Sequence, residues 1–352
     1  MTSEVFVDVD WTHDLDVAKP AIVTGAGGFI GGHLVSRLRE LGFERVRAVD
    51  RKPADEWYQR FSDVDSLVVD LSSMDGCRRA AEGAGYVFHL AADMGGMGFI
   101  ENNKALCMLS VLSSTQMLVA ARDVGAERYF YASSACVYAQ EKQTTADVPA
   151  LAEDDAYPAT PEDGYGWEKL FSERMARHFF EDFGLDTRVA RYHNVYGPMG
   201  TFAGGREKAP AAICRKVIEA KLSGVHEIEI WGDGEQTRSF TYIDDCVEGT
   251  LRLTASSSRD PLNVGSSEMV TINDMVSLCE QIGGVTLRRR YVLDAPLGVR
   301  GRNSDNSRIH AELNWEPSIR LAAGLERTYA WIHDQMTSTG ESHPLALAAT
   351  AR

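Results

Sequence analysis

The sequence predicts an α/β fold: a Rossmann-type, doubly wound parallel sheet with a smaller, sequence-interwoven C-terminal substrate-binding region. Three observations carry this. Between Lys19 and about Tyr192, the short β-rich runs AIVT, RVRAVD, SLVVD, GYVFHLAA, RYFYASS and TRVARY are each followed by a polar or amphipathic segment, the alternation expected when helices cross between parallel strands. The run from Tyr86 to Ala92 is nearly continuously apolar, as suits a strand covered on both faces. Finally, Thr24-Gly-Ala-Gly-Gly-Phe-Ile-Gly31 follows the first strand and opens a helix. At 352 residues the chain is long enough for one large α/β unit or two modest domains.

In chain order, residues 1–18 form an acidic N-terminal extension, where a secretory leader would be basic and then apolar. Residues 19–193 form the dinucleotide-binding domain. Within it, KALCMLSVLSSTQML and YGWEKLFSERMARHFFEDF read as helices. The second carries Leu170, Phe171, Met175, Phe179, Phe180 and Phe183, more apolar surface than one narrow stripe requires. With the helix around residues 105–122, it is expected to form a four-helix contact across a two-fold axis, giving a homodimer. After Asn194 the alternation weakens into the Gly/Pro-punctuated loop GPMGTFAGGREKAP and a helix, AAICRKVIEAKL. The segment 227–255 reads as strand, Gly-rich turn, strand and helix, and is expected to return to the first sheet. Residues 194–226 and 256–336 then make the substrate-binding region, and 337–352 a flexible tail rich in small and polar residues.

A net charge of −15 argues against a nucleic-acid partner, whose phosphates require clustered Lys and Arg. The six cysteines lie far apart with no C-x-x-C pair, which predicts neither a disulfide framework nor a zinc site and fits reduced thiols in the cytoplasm. His33, His89 and His193 sit beside motifs without metal-ligand spacing, so no metal is expected and they read as packing or hydrogen-bonding residues. No apolar run reaches membrane-spanning length by eye, and no membrane partner is expected.

Gly25, Gly28 and Gly31 stand at G-x-x-G-x-x-G spacing. Such glycines permit a tight turn, close approach of the backbone to a pyrophosphate, and close helix–strand packing, while the helix N-terminus offers unpaired N–H groups. Any tight βα turn explains the glycines equally well. Asp50, ending the second strand about 20 residues further on, shifts the balance, because a carboxylate there binds the adenosine ribose hydroxyls. It would also repel a 2′-phosphate, so NAD is the expected cofactor in spite of Arg51 and Lys52. Asp70, ending the next strand, is placed to meet the adenine edge.

Tyr165-Gly-Trp-Glu-Lys169 is a Y-x-x-x-K at a helix start, which puts both side chains on one face. An adjacent ammonium stabilises phenolate and would make Tyr165 a base for an alcohol. Taken alone, the pair reads better as a surface pair on an amphipathic helix, since Y-x-x-x-K is common by chance. In Tyr131-Ala-Ser-Ser-Ala-Cys-Val-Tyr138, Cys136 follows a serine pair at a strand end. A buried cysteine is ordinarily inert packing.

Together, the glycine turn, Ser133-Ser134 and Y-x-x-x-K resemble the extended short-chain dehydrogenase/reductase family, which acts largely on nucleotide sugars. The resemblance runs from about Lys19 to Gln335. HLAADMGGMGFI, SSACVY, RYHNVYGPMGT, GGREKAPAAICRK, WGDGEQTRSFTYIDDCVEG and GVRGRNSDN are similar to the GDP-mannose 3,5-epimerase branch of that family. The resemblance implies that Ser134 hydrogen-bonds the hydroxyl being oxidised, Tyr165 takes its proton and NAD takes its hydride. Oxidising C4 of a hexose acidifies the hydrogens at C3 and C5, and inversion there needs a base on one face and an acid on the other. In the resemblance these are Cys136, a thiol whose pKa a cationic neighbour would lower, and Lys208 in Arg206-Glu-Lys-Ala-Pro210. Dehydratases of the family carry a carboxylate, and simple 4-epimerases a hydroxyl, where Cys136 stands.

The resemblance further implies cofactor contacts at Phe29, Ile30, Leu90 and Ala91. It implies substrate contacts at Gly95, Ala135, Asn194, Glu207, Ala209 and Lys216, and at Gln236, Thr237 and Arg238. Arg238 and Arg302, with Arg300 as alternate, are the candidates for the diphosphate, which a guanidinium fork matches. Arg288 to Arg290 match nothing and read as a solvated strand edge. Ser110 stands where relatives usually carry asparagine. The expected substrate is GDP-mannose, with GDP-hexose products. The rival readings are a related GDP- or UDP-sugar 4-epimerase or dehydratase, and a non-catalytic nucleotide-sugar sensor.

Overall fold

The computed structural model describes residues 11–338. Most of the extension expected at 1–18, and all but the first two residues of the tail expected at 337–352, lie outside the described residues. The first half of the chain runs β1 (Ala21–Thr24), α1 (Phe29–Glu40), β2 (Val46–Asp50), β3 (Asp65–Val68), α2 (Met74–Ala81), β4 (Tyr86–His89), α3 (Met97–Asn102), α4 (Lys104–Met108), α5 (Ser110–Asp123), β5 (Arg128–Ser134), α6 (Tyr165–Phe183) and β6 (Asp186–Tyr192). The second half runs β7 (Val195–Tyr196), α7 (Ala209–Ser223), β8 (Glu227–Trp231), β9 (Thr237–Ser239), β10 (Thr241–Tyr242), α8 (Ile243–Ala255), β11 (Leu262–Val264), β12 (Met269–Thr271), α9 (Ile272–Gly283), β13 (Arg288–Val292), β14 (Gly301–Arg302), α10 (Ser307–Leu313) and α11 (Leu321–Thr337).

Seven strands form one sheet in the order β11-β6-β5-β4-β1-β2-β3, and every pairing in it is parallel. The order reverses between β1 and β4, so a crevice opens at the carboxyl ends of these strands. The period-two alternation of each strand feeds two cores. Val23, Phe88 and Phe130 pack with Leu34 and Leu38 of α1 and Leu251 of α8. On the opposite face Ile22, Val87 and Tyr129 pack with Cys77 of α2, Met117 of α5 and Phe179 of α6.

The segment 227–255 does not return to the sheet as a whole. β8 pairs with β13, and β9 lies between β12 and β14 in a three-stranded sheet; only α8 packs on the large sheet. Residues 262–264, expected in the smaller region, supply the seventh strand beside β6. Burial explains both corrections. EIEIW alternates between buried and accessible positions and suits a half-covered pair, whereas Leu262, Asn263 and Val264 are all buried.

The segment Lys104–Asp123 has the length and a mean hydropathy of 1.4 suited to crossing a membrane, against the expectation from the sequence. In the fold it packs on α2 and α6 and buries the polar Ser110 and Ser114. It leaves Met108, Leu109 and Leu112 exposed, and α6 likewise leaves Trp167 and Phe171 exposed. Leu170 and Phe179 of α6 face inward.

Candidate active site

The glycine turn is closed by its own geometry. Gly25 has φ +73°, a left-handed value that favours glycine. A Cβ on Gly31 would lie 2.3 Å from the Gly25 carbonyl oxygen, so a side chain there would force strand and helix apart. Gly28 caps α1 without a side-chain hydrogen bond, which leaves the first N–H groups of that helix, starting at Phe29 and Ile30, free of a side-chain cap. Asp50 accepts from Gly27 N and Lys52 N, both at 3.0 Å, so its carboxylate is fixed at the mouth of the turn. Arg51 is drawn away to Asp93 at 2.6 Å. The residues present therefore fit a dinucleotide with a free 2′-hydroxyl. Asp70 is engaged by Ser72 N and Oγ, which hold its carboxyl below the usual range. Leu90 and Ala91 leave β4 with their N–H groups donating to Thr24 Oγ1, whose other partner is His89 Nδ1 at 2.9 Å.

Ser134 ends β5, and its hydroxyl accepts from Cys136 N at 3.2 Å. The next helix then closes over that thiol. Glu162 N donates to the Cys136 carbonyl at 3.0 Å, and a Cβ on Gly166 would sit 2.3 Å from the same oxygen. The glycine of Y-G-W-E-K is thus what lets Tyr165 approach Cys136. Both residues belong to one buried cluster with Ile100 and Cys107. Lys169 Nζ lies 5.4 Å from the centre of the Tyr165 ring and donates to Tyr131 OH at 3.1 Å. Burial, with Cys136 and Glu168 nearby, pushes the Tyr165 phenol well above its ordinary range, the opposite of the direction expected from Lys169 alone.

Glu168 escapes sequence reasoning. Its Oε1 accepts from Ser114, Tyr131 and Ser172, and its Oε2 lies 3.4 Å from Lys169 Nζ. The signal was its place within Y-x-x-x-K, three residues from Tyr165 and therefore on the same helix face.

Arg302, expected at the diphosphate, is engaged within the protein beside Cys136. Its guanidinium is buried, with Nε donating to Gln143 Oε1 at 2.6 Å, one amino group 3.7 Å from Cys136 Sγ, and the other paired with Glu162. The Cys136 thiol is pushed up to about 11, because burial and the Glu162 charge outweigh Arg302; the lowering expected for it does not occur. Lys208 caps α7. Burial lowers its pKa, with Cys136 acting in the opposing sense, so the ammonium and the thiol lie within electrostatic reach of one another.

The loop carrying Lys208 is seated on the loop after β4. Gly96 N donates to Arg206 O at 3.1 Å, the Arg206 guanidinium lies 3.8 Å from the centre of the Phe99 ring, and a Cβ on Gly96 would meet Glu207 O at 2.5 Å. Gly95 stands beside that contact, packed on Phe99. Ala135 is buried next to the thiol, and Ala209 follows Lys208 as the first residue of α7. Glu207 closes its own loop, accepting from Gly205 N at 2.7 Å and meeting Arg215. Asn194, at φ +42°, donates to Ser239 O at 3.0 Å between β6 and β7.

Arg238 points along the 297–299 loop, donating to Leu297 O at 3.2 Å, and burial lowers its pKa to about 10. Gln236 Nε2 donates to Trp231 O at 2.9 Å, while its side-chain oxygen Oε1 is buried without a partner among the described residues. Thr237 donates to Ala146 O. Two expected ligands are otherwise engaged: Lys216 donates to Glu229 O at 3.0 Å, and Arg300 makes a two-point pair with Asp233 at 2.7 and 2.9 Å. Arg288 and Arg290 pair with Glu227 and Glu229 along β8. Ser110, in the place of the usual asparagine, accepts from Asp93 N at 2.9 Å. Among the described residues no cluster of His, Cys, Asp and Glu could hold a metal ion.

Comparison with known proteins agrees with this geometry. The chain is 48% identical to GDP-mannose 3,5-epimerase 1 of Oryza sativa subsp. japonica over 315 residues, 89% of this chain and 82% of that protein. Identity to GDP-mannose 3,5-epimerase of Arabidopsis thaliana is 47%, with the same coverage of each chain. The fold is similar to that of UDP-glucose 4-epimerase from Thermotoga maritima, solved with UDP-glucose, at a TM-score of 0.81 and 25% identity over 90% of this chain and 99% of that one. The model of the NAD dependent epimerase/dehydratase family matches residues 21–265. Because that match begins at the first strand of the sheet, ends just past its seventh and takes in the glycine turn, the serine and the tyrosine–lysine pair, the chain belongs to the NAD dependent epimerase/dehydratase family.

Proposed function

We propose that this protein is a GDP-mannose 3,5-epimerase, converting GDP-α-D-mannose to GDP-L-galactose, GDP-L-gulose or both. The observation that carries the reading is the packing of Cys136 in one buried cluster with Tyr165, beside Ser134 and Lys169 and within electrostatic reach of Lys208, which supplies a second proton-transfer group. The turn at Gly25 to Gly31 and Asp50 would hold NAD, which when bound would supply hydride acceptance and return at C4. Ser134 orients the C4 hydroxyl, and Tyr165 removes its proton under the field of Lys169. The ketone so formed acidifies C5–H and C3–H. The thiol and the lysine hold one readily exchanged proton between them: transfer from sulfur to nitrogen makes Cys136 the carbon base and Lys208 the acid on the other face. Return of the proton to the C4 oxygen through Tyr165, as hydride returns to C4, completes a cycle without net redox change.

We further read the protein as a cytoplasmic homodimer. The unpaired state of its six cysteines suits a reducing compartment. The exposed apolar residues of α4, α5 and α6 suit a second copy of the chain.

The test is incubation with GDP-mannose in D₂O, followed by proton NMR of the sugar and by absorbance of enzyme-bound NADH. Label at C3 and C5 with no net NADH is expected. Cys136→Ala should keep hydride transfer at C4 and lose inversion by about 10²- to 10⁴-fold, and Lys208→Met should impair inversion likewise. Inversion by Cys136→Ala at close to the wild-type rate would reduce the thiol to packing and sink the reading.

A further inference from the structure

One buried acid has no part in the cycle above. Glu162 comes from the loop before α6, in a Pro-Glu-Asp-Gly stretch that reads as solvated, yet its side chain is only 5% exposed. A buried carboxylate needs a partner, and Glu162 has one in the buried guanidinium of Arg302. Only one carboxylate oxygen is used in this pair. The other, Oε2, is buried with no hydrogen-bond partner among the described residues. Arg302 is at the same time the cation beside Cys136 Sγ, at 3.7 Å, and its third side is held by Gln143. The backbone of Glu162 is pinned to Cys136 as well, through its N–H to the Cys136 carbonyl at 3.0 Å. Arginine, glutamate and thiol are thus one three-body unit, drawn from β14, from the loop before α6 and from the turn after β5.

We propose that Glu162 is a positioning residue for Cys136: by pairing with Arg302 beside the sulfur it cancels the guanidinium's charge there, so that the resting group is a thiol and the thiolate formed in turnover is a strong base.

The chemistry favours such an arrangement. A lone Arg302 would stabilise thiolate, as cations do beside reactive cysteines. A low-pKa thiolate is a weak base, poorly matched to a carbon acid, and is the form that oxidants and alkylating agents attack. The other groups facing the sulfur are accounted for. Ser134 favours the thiolate through its hydrogen bond and Glu162 disfavours it. Lys208 and Arg238 are cations within electrostatic reach. Tyr165 and Cys107 share the apolar cluster and are neutral while protonated. Glu162 is the anion among them. The proposal rests on the epimerase reading for its purpose, and its test does not depend on turnover.

The test is the pH dependence of Cys136 alkylation by iodoacetamide in the NAD-loaded protein, quantified by mass spectrometry of the Cys136 peptide. In the wild type the midpoint should lie above that of a free thiol, about 8.5. In Glu162→Gln, which keeps the shape and the contact with Arg302 and removes the charge, the midpoint should fall by about 1 unit or more, giving roughly tenfold faster alkylation at pH 7. Glu162→Asp, which keeps the charge, should stay within a few tenths of a unit of the wild type. Superimposable profiles for wild type and Glu162→Gln would overturn the proposal, and so would an equal shift in Glu162→Asp, which would mark the residue as a spacer. Should Glu162→Gln not fold, the wild-type midpoint decides, since a value at or below 8.5 is incompatible with a cancelled guanidinium. A protein that fails to epimerise GDP-mannose but shows these shifts refutes the function and keeps the inference.

Discussion

Tyr165 is where the chemistry of the site is most exposed to a single atom. Removing its hydroxyl in Tyr165→Phe leaves the ring packed in its buried cluster, so the fold should stand, while the proton of the C4 hydroxyl loses its acceptor. Oxidation should fall by about 10²- to 10⁴-fold, and deuterium exchange at C3 and C5 should fall with it, because neither hydrogen is acidic without the ketone. Exchange in D₂O at near the wild-type rate would contradict the coupling. The five residues proposed for this chemistry are ones the sequence singles out, and the fold places Ser134 at the end of β5, Cys136 in the turn after it, Tyr165 and Lys169 at the start of α6 and Lys208 at the start of α7. Their surroundings were not legible in the sequence. Glu162, Gln143 and Glu168 look in one dimension like ordinary loop and helix polar residues, and only burial turns them into partners of a cysteine, an arginine and a lysine. The same blindness reversed two pKa expectations, because a motif names the neighbouring cation but not the desolvation.

Helices α4 to α6 present the next question. Met108, Leu109 and Leu112 are exposed, as are Trp167 and Phe171 on the helix that α4 and α5 pack against, and exposed apolar residues on adjacent helices are the material of a four-helix contact. The wild type should therefore have twice the monomer mass by light scattering at micromolar concentration, and Phe171→Glu should bring it to the monomer mass while leaving the far-UV spectrum unchanged. A monomeric wild type would overturn the dimer. The helices themselves were legible from their apolar periodicity. The placement of strands after Asn194 was less so, because a strand such as β8 does not say in its own sequence which sheet it joins, and three residues such as Leu262-Asn263-Val264 carry too little pattern to distinguish a buried sheet strand from a loop. Only pairing with β6 reveals the seventh strand.

Across the whole molecule, two buried histidines set an acid limit. His89 and His193 are held neutral by burial, their pKa values lowered from 6.5 to about 3. Between these values the unfolded chain binds protons that the folded one refuses, so stability is full above about pH 6.5 and is lost as pH falls, by on the order of 1 kcal/mol per pH unit for each imidazole. Urea unfolding at pH 6.5, 5.5 and 4.5 should show this decline. His193→Gln, compared with wild type at each pH, should show a smaller one, and parallel declines would refute the assignment. The placement of β11 has a different consequence. The chain leaves the large sheet after β6, builds β8 and β9 outside it, and returns through α8 and β11 before leaving again. Ser134 and Tyr165 come from one body, Lys208 and Arg302 from excursions out of it. A cut at the end of β6 does not yield a complete cofactor-binding module: a fragment ending at residue 193 would expose the edge of β6 and lack α8, the helix that covers one face. The protein is therefore unsuited to truncation, circular permutation near residue 194 or exchange of its second half with that of a relative, and specificity within such an architecture changes by substitution in place rather than by trading parts.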